Sequence, residues 1–315
     1  EFIMHSNNIY IIGWSGFIGR QYIHYLDKTG FKGEVFLNSR ADDEQKYTSP
    51  TDNITIKYVN YEEMITGLNC SRSTVLYLAN MYSPGESNIY PLNSVKENII
   101  PFITFLEDIK NNASNIRFIF ASSGGTIYGD SQEGECCSEN HLLAPKTIYA
   151  ANKIAQENYL NVYHVNYGLD YRIARIANPY GPGQILKGGQ GLIPAILLSS
   201  LNNESLPVSG DGSGTRDYIY IDDLCSLFLS LSSYTGTCRT FNAGSGKEYS
   251  IMEIINCFNA VHDRPIKYHH VKTESSVVSR IVLDISRAKN ELGWSPKTSL
   301  SDGIRAFINW SIQVM

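Results

Sequence analysis

The 315-residue sequence predicts an α/β fold in which a doubly wound parallel sheet is followed by a smaller C-terminal lobe. Two observations predict this class. Short apolar runs alternate with helical patterns through the first half of the chain, which is typical of parallel strands joined by right-handed crossovers. These runs also lack alternating polar residues, as expected for a sheet that is covered on both faces.

The predicted elements alternate along the chain. The strands, each a short and largely apolar run, are Asn8–Ile12, Glu34–Leu37, Ile54–Val59, Thr74–Leu78, Ile116–Ala121 and Tyr171–Ile176. The helices, each with apolar residues at helical spacing, are Gly19–Lys28, Asn93–Lys110, a helix from about Ala144, and Leu192–Leu201. Gly and Pro cluster over 178–191, where the pattern loosens. We therefore expect one domain mainly over 4–177 and a second mainly over 178–315, with crossing segments.

A glycine-rich loop directly follows the first predicted strand. Gly13 permits a tight turn, Gly16 lets the backbone approach a pyrophosphate, and Gly19 lets the next helix pack closely on the strand. The free N–H groups at the start of that helix would point at the phosphates. This pattern favours a Rossmann-type dinucleotide site over an unspecialised turn. The predicted cofactor loop comprises Gly13, Ser15, Gly16, Phe17, Ile18 and Gly19.

The end of the second predicted strand bears on which dinucleotide is bound. An NAD site has a carboxylate there, which accepts the ribose hydroxyls. Here Asn38 stands at that place, followed by Ser39 and by Arg40, whose guanidinium suits a phosphate dianion. NADP(H) is therefore favoured. NAD is the alternative, with Asp42 or Asp43 reaching back to the ribose.

A tyrosine and a lysine four residues apart, Tyr149 and Lys153, share one face of a predicted helix. A lysine ammonium stabilises a neighbouring phenolate, so this pair suits proton transfer, and the lysine can also bond the nicotinamide ribose. Tyr268 and Lys272 have the same spacing. Of the two tyrosines, only Tyr149 follows the strand Ile116–Ala121 at the spacing expected if residues at the end of that strand also take part in catalysis. Tyr149 and Lys153 are therefore the predicted pair.

Hydroxyl side chains follow that strand. A serine or threonine at the carboxyl end of the strand would hydrogen-bond the substrate oxygen that is oxidised or reduced. The hydroxyl residues here are Ser122, Ser123 and Thr126. A turn or a helix cap is the alternative role of a Ser-Ser pair.

With these residues, the chain resembles the extended short-chain dehydrogenase/reductase family, in its nucleotide-sugar epimerase, dehydratase and reductase branch. The resemblance extends from Ile9 to about Trp310. Beyond the glycine loop and the Tyr-x-x-x-Lys pair, it rests on three segments, Arg175–Pro182, Gly210–Asp223 and Leu292–Pro296. It implies a nucleotide sugar as the substrate.

The resemblance also implies which residues bind that substrate. Asn178 and Arg216 would contact the nucleotide diphosphate, and Leu192 and Val208 would lie near the base. A guanidinium fork and an amide both suit pyrophosphate oxygens. The alternative is structural, with Arg216 and Asp217 as a local ion pair and Asn178 as a loop cap.

Two departures from the family pattern limit which reaction and which catalytic hydroxyl are expected. The family's dehydratases carry an Asp-Glu pair after the catalytic threonine, whereas Gly124 and Gly125 stand here, so dehydration is not expected. The usual position of the catalytic hydroxyl, counted back from Tyr128, falls on Gly124. Sugar epimerases with a double glycine have the hydroxyl one residue earlier, so Ser123 is the expected catalytic residue and Thr126 the second candidate.

Two reactions at the sugar C4 position agree with these residues. One is NADPH-dependent reduction of a 4-keto-6-deoxy sugar on dTDP or UDP, in which Tyr149 protonates the new alkoxide. The other is 4-epimerisation of a UDP-hexose or its N-acetyl form with tightly held NAD. Asn38 and Arg40 favour the 4-ketoreductase, whereas the double glycine favours the 4-epimerase. A non-catalytic dinucleotide-binding scaffold or sensor is the third interpretation. Either enzyme would serve polysaccharide biosynthesis.

Composition argues against other classes of partner. A net charge of −5 without basic runs disfavours nucleic acid. The sequence has no apolar stretch of about 18 residues and no signal-peptide pattern, so we expect no membrane partner and a cytoplasmic location. The six cysteines lack C-x-x-C spacing, so no metal site is expected.

A homodimer is implied by the resemblance. Two helices of each subunit, Asn93–Lys110 and Ile148–Tyr167, would pack as a four-helix bundle. Their apolar stripes comprise Ile99, Ile103, Leu106, Ile154, Tyr159 and Val162. The same stripes would equally suit the core of one subunit.

Overall fold

A computed structural model describes residues 8–38, 53–184, 191–262, 264–272 and 278–314 of the chain. The predicted cofactor residues Ser39 and Arg40 lie outside these ranges, as do Asp42 and Asp43. Within the ranges, no helix has both the length and the apolar composition that a membrane crossing requires. The described residues also contain no group of three or more His, Cys, Asp or Glu side chains that could hold a metal ion.

A parallel sheet organises the first half of the chain. The described strands are β1 (Asn8–Ile12), β2 (Glu34–Asn38), β3 (Thr55–Val59), β4 (Ser73–Tyr77), β5 (Ile116–Ser123), β6 (Asp170–Ile176), β7 (Asn178–Tyr180), β8 (Leu206–Ser209), β9 (Thr215–Tyr220), β10 (Thr240–Ala243), β11 (Glu248–Ser250), β12 (Tyr268–Val271) and β13 (Arg280–Ile281). Seven of them form one sheet in the order β10-β6-β5-β4-β1-β2-β3, and the pairs from β5 across to β3 run parallel. Every residue of β4 and β5 is buried, because the sheet is covered on both faces. The predicted Rossmann-type α/β fold is confirmed.

Helices form most of the connections between strands. The described α-helices are α1 (Phe17–Lys28), α2 (Tyr61–Cys70), α3 (Pro84–Ile89), α4 (Pro91–Ile109), α5 (Ile148–Tyr167), α6 (Leu192–Leu201), α7 (Ile221–Ser233), α8 (Ile251–Val261), α9 (Ser286–Leu292) and α10 (Leu300–Val314). The sequence prediction missed α2 and α3. Each is a short helix whose N-cap, Asn60 or Ser83, forms a capping box with a glutamate three residues later. The signal for both helices was therefore in their caps.

The helix of the predicted catalytic pair has the bounds Ile148–Tyr167 that were expected for a dimer helix, and it begins later than the other expected start. Instead of starting near Ala144, α5 begins at Ile148, because the Thr147 hydroxyl accepts a hydrogen bond from the Ala150 N–H and caps the first turn. It ends before Gly168, whose left-handed backbone (φ 73°) is a common helix stop.

The chain divides into two compact units. Unit 1 comprises 1–122, 147–174 and 225–241, and unit 2 comprises 123–146, 175–224 and 242–315. Unit 1 has a core rich in aromatic rings. Within it, the ring centroid of Tyr77 lies 5.0 Å from that of Phe102 and 5.8 Å from that of Phe118. These rings pack the long helix α4 onto β4 and β5.

The core of unit 1 includes part of the stripe that was predicted to bind a second subunit. Leu106 of α4 is 0% exposed and belongs to this core, and Ile99 is 8% exposed, so neither is available to a partner. Val162 of α5 is 48% exposed. At Ile99 and Leu106, the apolar stripe of α4 therefore packs inside the subunit rather than against a second one.

Unit 2 has an apolar core of its own, formed by α6, α8 and α10 with β8 and β9. Residues from all three recurring family segments form contacts within this unit. The Trp294 indole N–H donates a hydrogen bond to the Asp223 carbonyl at 3.2 Å. The Arg175 guanidinium donates to the Tyr128 hydroxyl at 3.0 Å. These signature residues therefore have structural contacts in the protein.

Candidate functional site

Unit 1 contains a cavity at the carboxyl ends of its parallel strands. Its volume is about 810 Å³. It is lined by the loop after β1, by Asn38 at the end of β2, by Tyr77 at the end of β4 and by residues 78–81 after it. Ligands of doubly wound sheets bind at this edge, and the volume is within the range of cofactor sites. The cavity lies where the glycine loop predicts a dinucleotide.

The three glycines of this loop have different structural causes. Gly13 has a left-handed backbone (φ 84°), and a Cβ atom there would lie 2.7 Å from the backbone nitrogen of Ala79. A Cβ at Gly19 would lie 2.5 Å from the backbone of Trp14, because α1 packs directly on the loop. A Cβ at Gly16 would contact only the Gly13 carbonyl, at 3.4 Å. Packing within the protein explains Gly13 and Gly19, whereas Gly16 leaves room on the lining of the cavity.

The other predicted loop residues lie at the start of α1. Ser15 is exposed, and Phe17 and Ile18 are half-buried in the first turn. Gly16 is the N-cap and has no side chain to bond the N–H groups of that turn. Such open N–H groups bind anions. The loop therefore fits the pyrophosphate of a dinucleotide.

Asn38 ends β2 and lines the same cavity. Its backbone carbonyl accepts a hydrogen bond from the Trp14 indole at 2.8 Å, and its side-chain nitrogen lies 3.8 Å from the sulfur of Met64. The described end of β2 thus carries a neutral amide where an NAD site has a carboxylate.

The structure brings Tyr149 and Lys153 together as predicted. Lys153 is 3% exposed, and its ammonium donates a hydrogen bond to the Ala121 carbonyl at 3.0 Å. Its Nζ lies 5.7 Å from the ring centroid of the half-buried Tyr149. Burial lowers the pKa of Lys153 to about 8. The backbone N–H of Tyr149 is held by the Ser87 hydroxyl at 2.9 Å, so α3 positions the start of α5.

The hydroxyls at the end of β5 and in the turn that follows it differ in their partners. Ser122 donates to the buried Glu157 carboxylate at 2.6 Å, so its hydroxyl is engaged with α5. Ser123 accepts a hydrogen bond from Thr126, with 2.8 Å between the two hydroxyl oxygens. The predicted candidates Ser123 and Thr126 are therefore neighbours. Because Thr126 donates to it, the Ser123 hydroxyl keeps its own proton for another acceptor.

Packing leaves no room for a side chain at Gly124, the position where the family resemblance implies the usual catalytic hydroxyl. A Cβ atom there would lie 2.6 Å from Cδ1 of Leu283 and 2.7 Å from the backbone carbonyl oxygen of Arg175. The leucine could move, but the carbonyl belongs to β6. A serine at this position therefore does not fit the present backbone, which leaves Ser123 and Thr126.

Unit 2 contains a second cavity, of about 340 Å³. Three of the four predicted substrate residues, Asn178, Leu192 and Arg216, line it. Ser209 and Asp211, which were not predicted from the sequence, also line it. Asp211 lies within the recurring segment Gly210–Asp223, which was the available signal.

Val208 is the predicted substrate residue that the structure places elsewhere. It is 1% exposed and packs in the core of unit 2 rather than on the cavity wall. The cause is the alternation of a β-strand, since neighbouring side chains of β8 point to opposite sides. The next residue, Ser209, lines the cavity instead.

Arg216 and Asp217 do not form the local ion pair that was the structural alternative. The Asp217 carboxylate accepts hydrogen bonds from the backbone N–H groups of Ser245, Gly246 and Leu283, and burial raises its pKa to about 6. Arg216 forms no ion pair with any described carboxylate. The Arg216 guanidinium donates a hydrogen bond to the Thr215 backbone carbonyl at 2.8 Å, and burial lowers the pKa of Arg216. Arg216 thus offers a positive charge to the cavity that it lines.

Asn178 has a partial structural role. Its side-chain nitrogen donates to the backbone carbonyl of Asp217 at 2.7 Å, which ties β7 to β9. Because it also lines the cavity, the same side chain is placed to contact a ligand.

Comparisons with known proteins agree with this geometry. Residues 9–244 match the NAD-dependent epimerase/dehydratase family. A dTDP-4-dehydro-6-deoxyglucose reductase of Escherichia coli is 31% identical over 96% of this chain and 97% of its own length. A putative UDP-glucose 4-epimerase of Methanocaldococcus jannaschii is 28% identical over 96% of this chain and 97% of its own.

A solved structure has the same fold over the whole chain. The UDP-glucose 4-epimerase of Thermotoga maritima, determined with UDP-glucose, superposes with a TM-score of 0.84 at 28% identity and covers 98% of this chain and 99% of its own. From the match to the family, the full-length relatives and the shared fold, this chain belongs to the NAD-dependent epimerase/dehydratase family of extended short-chain dehydrogenase/reductase enzymes.

Proposed function

We propose that this protein catalyses the NADPH-dependent reduction of a 4-keto-6-deoxy sugar carried on dTDP or UDP. The observation that carries the proposal is Asn38, a neutral amide on the wall of the cofactor cavity where an NAD site has a carboxylate. The 31%-identical reductase of Escherichia coli supports it. Arg40, two residues further on, has a guanidinium that suits the 2′-phosphate.

Each unit has a proposed task. Unit 1 holds the dinucleotide through the glycine loop. The dinucleotide-binding domain expected from the sequence was the region mainly over 4–177. The cofactor would supply the hydride. Unit 2 holds the nucleotide sugar, with Arg216 and Asn178 on the diphosphate and Leu192 near the base.

The proton comes from this chain's own residues. Tyr149 donates its phenolic proton to the C4 oxygen as the ketone becomes an alcohol, and Lys153 stabilises the phenolate that remains. Lys153 would also hydrogen-bond the nicotinamide ribose of the bound cofactor. In unit 2, Ser123 is the proposed hydrogen-bond donor to the sugar, and Thr126 orients Ser123 through their 2.8 Å hydrogen bond.

A 4-epimerase is the second candidate. The glycine pair at 124–125 favours this candidate. The similarity to the 28%-identical Methanocaldococcus jannaschii relative supports it, and so does the similarity to the Thermotoga maritima structure. The same residues would then work in both directions, with Tyr149 accepting a proton from the C4 hydroxyl and later returning it. Such an enzyme keeps its NAD through the cycle, whereas a reductase must release NADP after every turnover.

Cofactor analysis separates the two candidates. We expect denatured protein to release no bound NAD, and the native protein to bind NADPH at least about tenfold more tightly than NADH, because a phosphate–arginine contact contributes a charge-assisted bond. The Asn38→Asp variant should reverse this preference, since a carboxylate repels the 2′-phosphate. Calorimetric titration with both cofactors measures the change.

An exposed asparagine provides the control for that titration. Asn111→Asp adds the same charge outside the cavity and should leave both affinities unchanged. NAD retained through purification, together with no response to added cofactor, would refute the reductase and support the 4-epimerase.

We also propose a homodimer formed through α4 and α5. Apolar side chains remain exposed on both helices, with Leu92 74%, Ile100 55% and Val165 72% exposed. Exposed apolar residues on adjacent helices suit burial against a second copy. The double variant Ile100→Glu/Val165→Glu should therefore be monomeric when its mass is measured by light scattering after gel filtration.

The control for the dimer is an apolar residue of similar exposure in unit 2. Ile312→Glu on α10, at a residue that is 67% exposed, should leave the mass of the wild-type species unchanged. A wild-type protein that is monomeric at micromolar concentration would rule out this interface.

A further inference from the structure

A buried carboxylate lies beside the proposed catalytic lysine and has no task in the reaction described above. Glu157 is 7% exposed and follows Lys153 by one helical turn, so both side chains lie on the same face of α5. Both reach consecutive residues of β5. The Lys153 ammonium donates to the Ala121 carbonyl at 3.0 Å, and the Glu157 carboxylate accepts from the Ser122 hydroxyl at 2.6 Å.

The surroundings of the two charges are largely apolar or neutral. Lys153 faces the rings of Tyr149 and Phe120, with its Nζ 4.8 Å from the Phe120 centroid. Two phenols lie near the pair: the Lys153 Nζ is 5.7 Å from the Tyr149 ring centroid, and the charge of Glu157 acts on the Tyr171 phenol of β6. No other described carboxylate acts on Lys153.

An unpaired ammonium in such a place would lose its proton readily. Burial lowers the pKa of Lys153 to about 8, and the negative charge of Glu157 acts in the opposite direction. A base whose pKa is lowered carries its charge only below that pKa. Without Glu157, the charged form would therefore end at a lower pH.

We propose that Glu157 is a positioning residue that keeps Lys153 in its charged form, with Ser122 orienting the carboxylate. The proposal rests on the role of Lys153 in the proposed function. It adds a group that touches neither substrate nor cofactor and acts through the lysine. The catalytic unit of α5 would then be a series of three residues at successive helical turns, Tyr149, Lys153 and Glu157.

The test is a direct titration of Lys153 in the intact protein, which needs no substrate. Lysine side chains labelled with ¹³C and ¹⁵N are followed by NMR as the pH is raised, and the Lys153→Met variant identifies the signal. We expect the Lys153 midpoint in Glu157→Gln to lie about one pH unit below that of wild type. An unchanged midpoint would overturn the proposal.

Ser122→Ala is the matched variant, because it removes the hydrogen bond but keeps the carboxylate. Its midpoint should fall by less than half of the change in Glu157→Gln. An equal or larger change would assign the effect to the hydrogen bond and would contradict the proposal. If Glu157→Gln does not fold, wild type alone decides: a Lys153 midpoint below about pH 7 would show that no charge compensates its burial.

A kinetic readout separates this proposal from the assigned reaction. With a working substrate, the alkaline fall of kcat should shift to lower pH in Glu157→Gln by the same amount as the NMR midpoint, with KM for the nucleotide sugar unchanged. If no 4-keto sugar nucleotide is turned over, the proposed function fails while the titration still tests Glu157.

Discussion

Replacing Tyr149 with phenylalanine is expected to lower kcat by about 10²- to 10⁴-fold, the range for loss of a positioned proton donor. The phenyl ring keeps the contact with Lys153, whose Nζ lies 5.7 Å from the Tyr149 ring centroid, so only the hydroxyl is removed. The rate would be followed by NADPH absorbance with a 4-keto sugar nucleotide, and by product analysis with a UDP-hexose.

The chain offers a matched control for this substitution. Tyr268 and Lys272 have the same spacing as the proposed pair, but Tyr268 is 42% exposed on β12 of unit 2. Tyr268→Phe should therefore keep the wild-type kcat. A Tyr149→Phe enzyme that retains more than about a tenth of the wild-type kcat would exclude Tyr149 as the proton donor and would favour the scaffold interpretation.

Replacing Arg216 with alanine is expected to weaken nucleotide-sugar binding by about 10- to 100-fold, which corresponds to loss of one charge-assisted contact. Arg216 lines the cavity of unit 2. Because it forms no ion pair among the described residues, its removal leaves none of their carboxylates without a partner. The loss should therefore be in KM rather than in folding. Steady-state kinetics and calorimetry with the free nucleoside diphosphate measure it.

An exposed arginine of the same unit is the control. Arg305→Ala on α10 should leave KM unchanged. A fall of kcat in Arg216→Ala with an unchanged KM would place Arg216 outside ground-state binding of the diphosphate and would contradict the assignment.

The parts of the site that were predictable from sequence depend on short-range structure. Gly13 and Gly19 belong to one strand–turn–helix unit, so their spacing already reflects the backbone they permit. Tyr149 and Lys153 are one helical turn apart, so any α-helix brings them together. The fold class follows from the alternation of strands and helices, and the parallel sheet confirms it.

Other features required contacts between residues far apart in sequence. Gly124 is explained by Leu283, 159 positions away, and by the Arg175 carbonyl of β6. Val208 lies in the core because β8 turns its other face, which carries Ser209, toward the cavity. The pattern of a strand in the sequence does not show which of its two faces points to a cavity.

The sequence by itself determined the fold class, the family and the pairing of Tyr149 with Lys153. Only the tertiary structure decided that Ser122 bonds Glu157 while Ser123 bonds Thr126, and that Asp217 turns away from Arg216. The physical reason is the range of the interactions. Local backbone preferences and helical spacing are written in neighbouring residues, whereas burial and hydrogen-bond partners depend on which distant segments pack together.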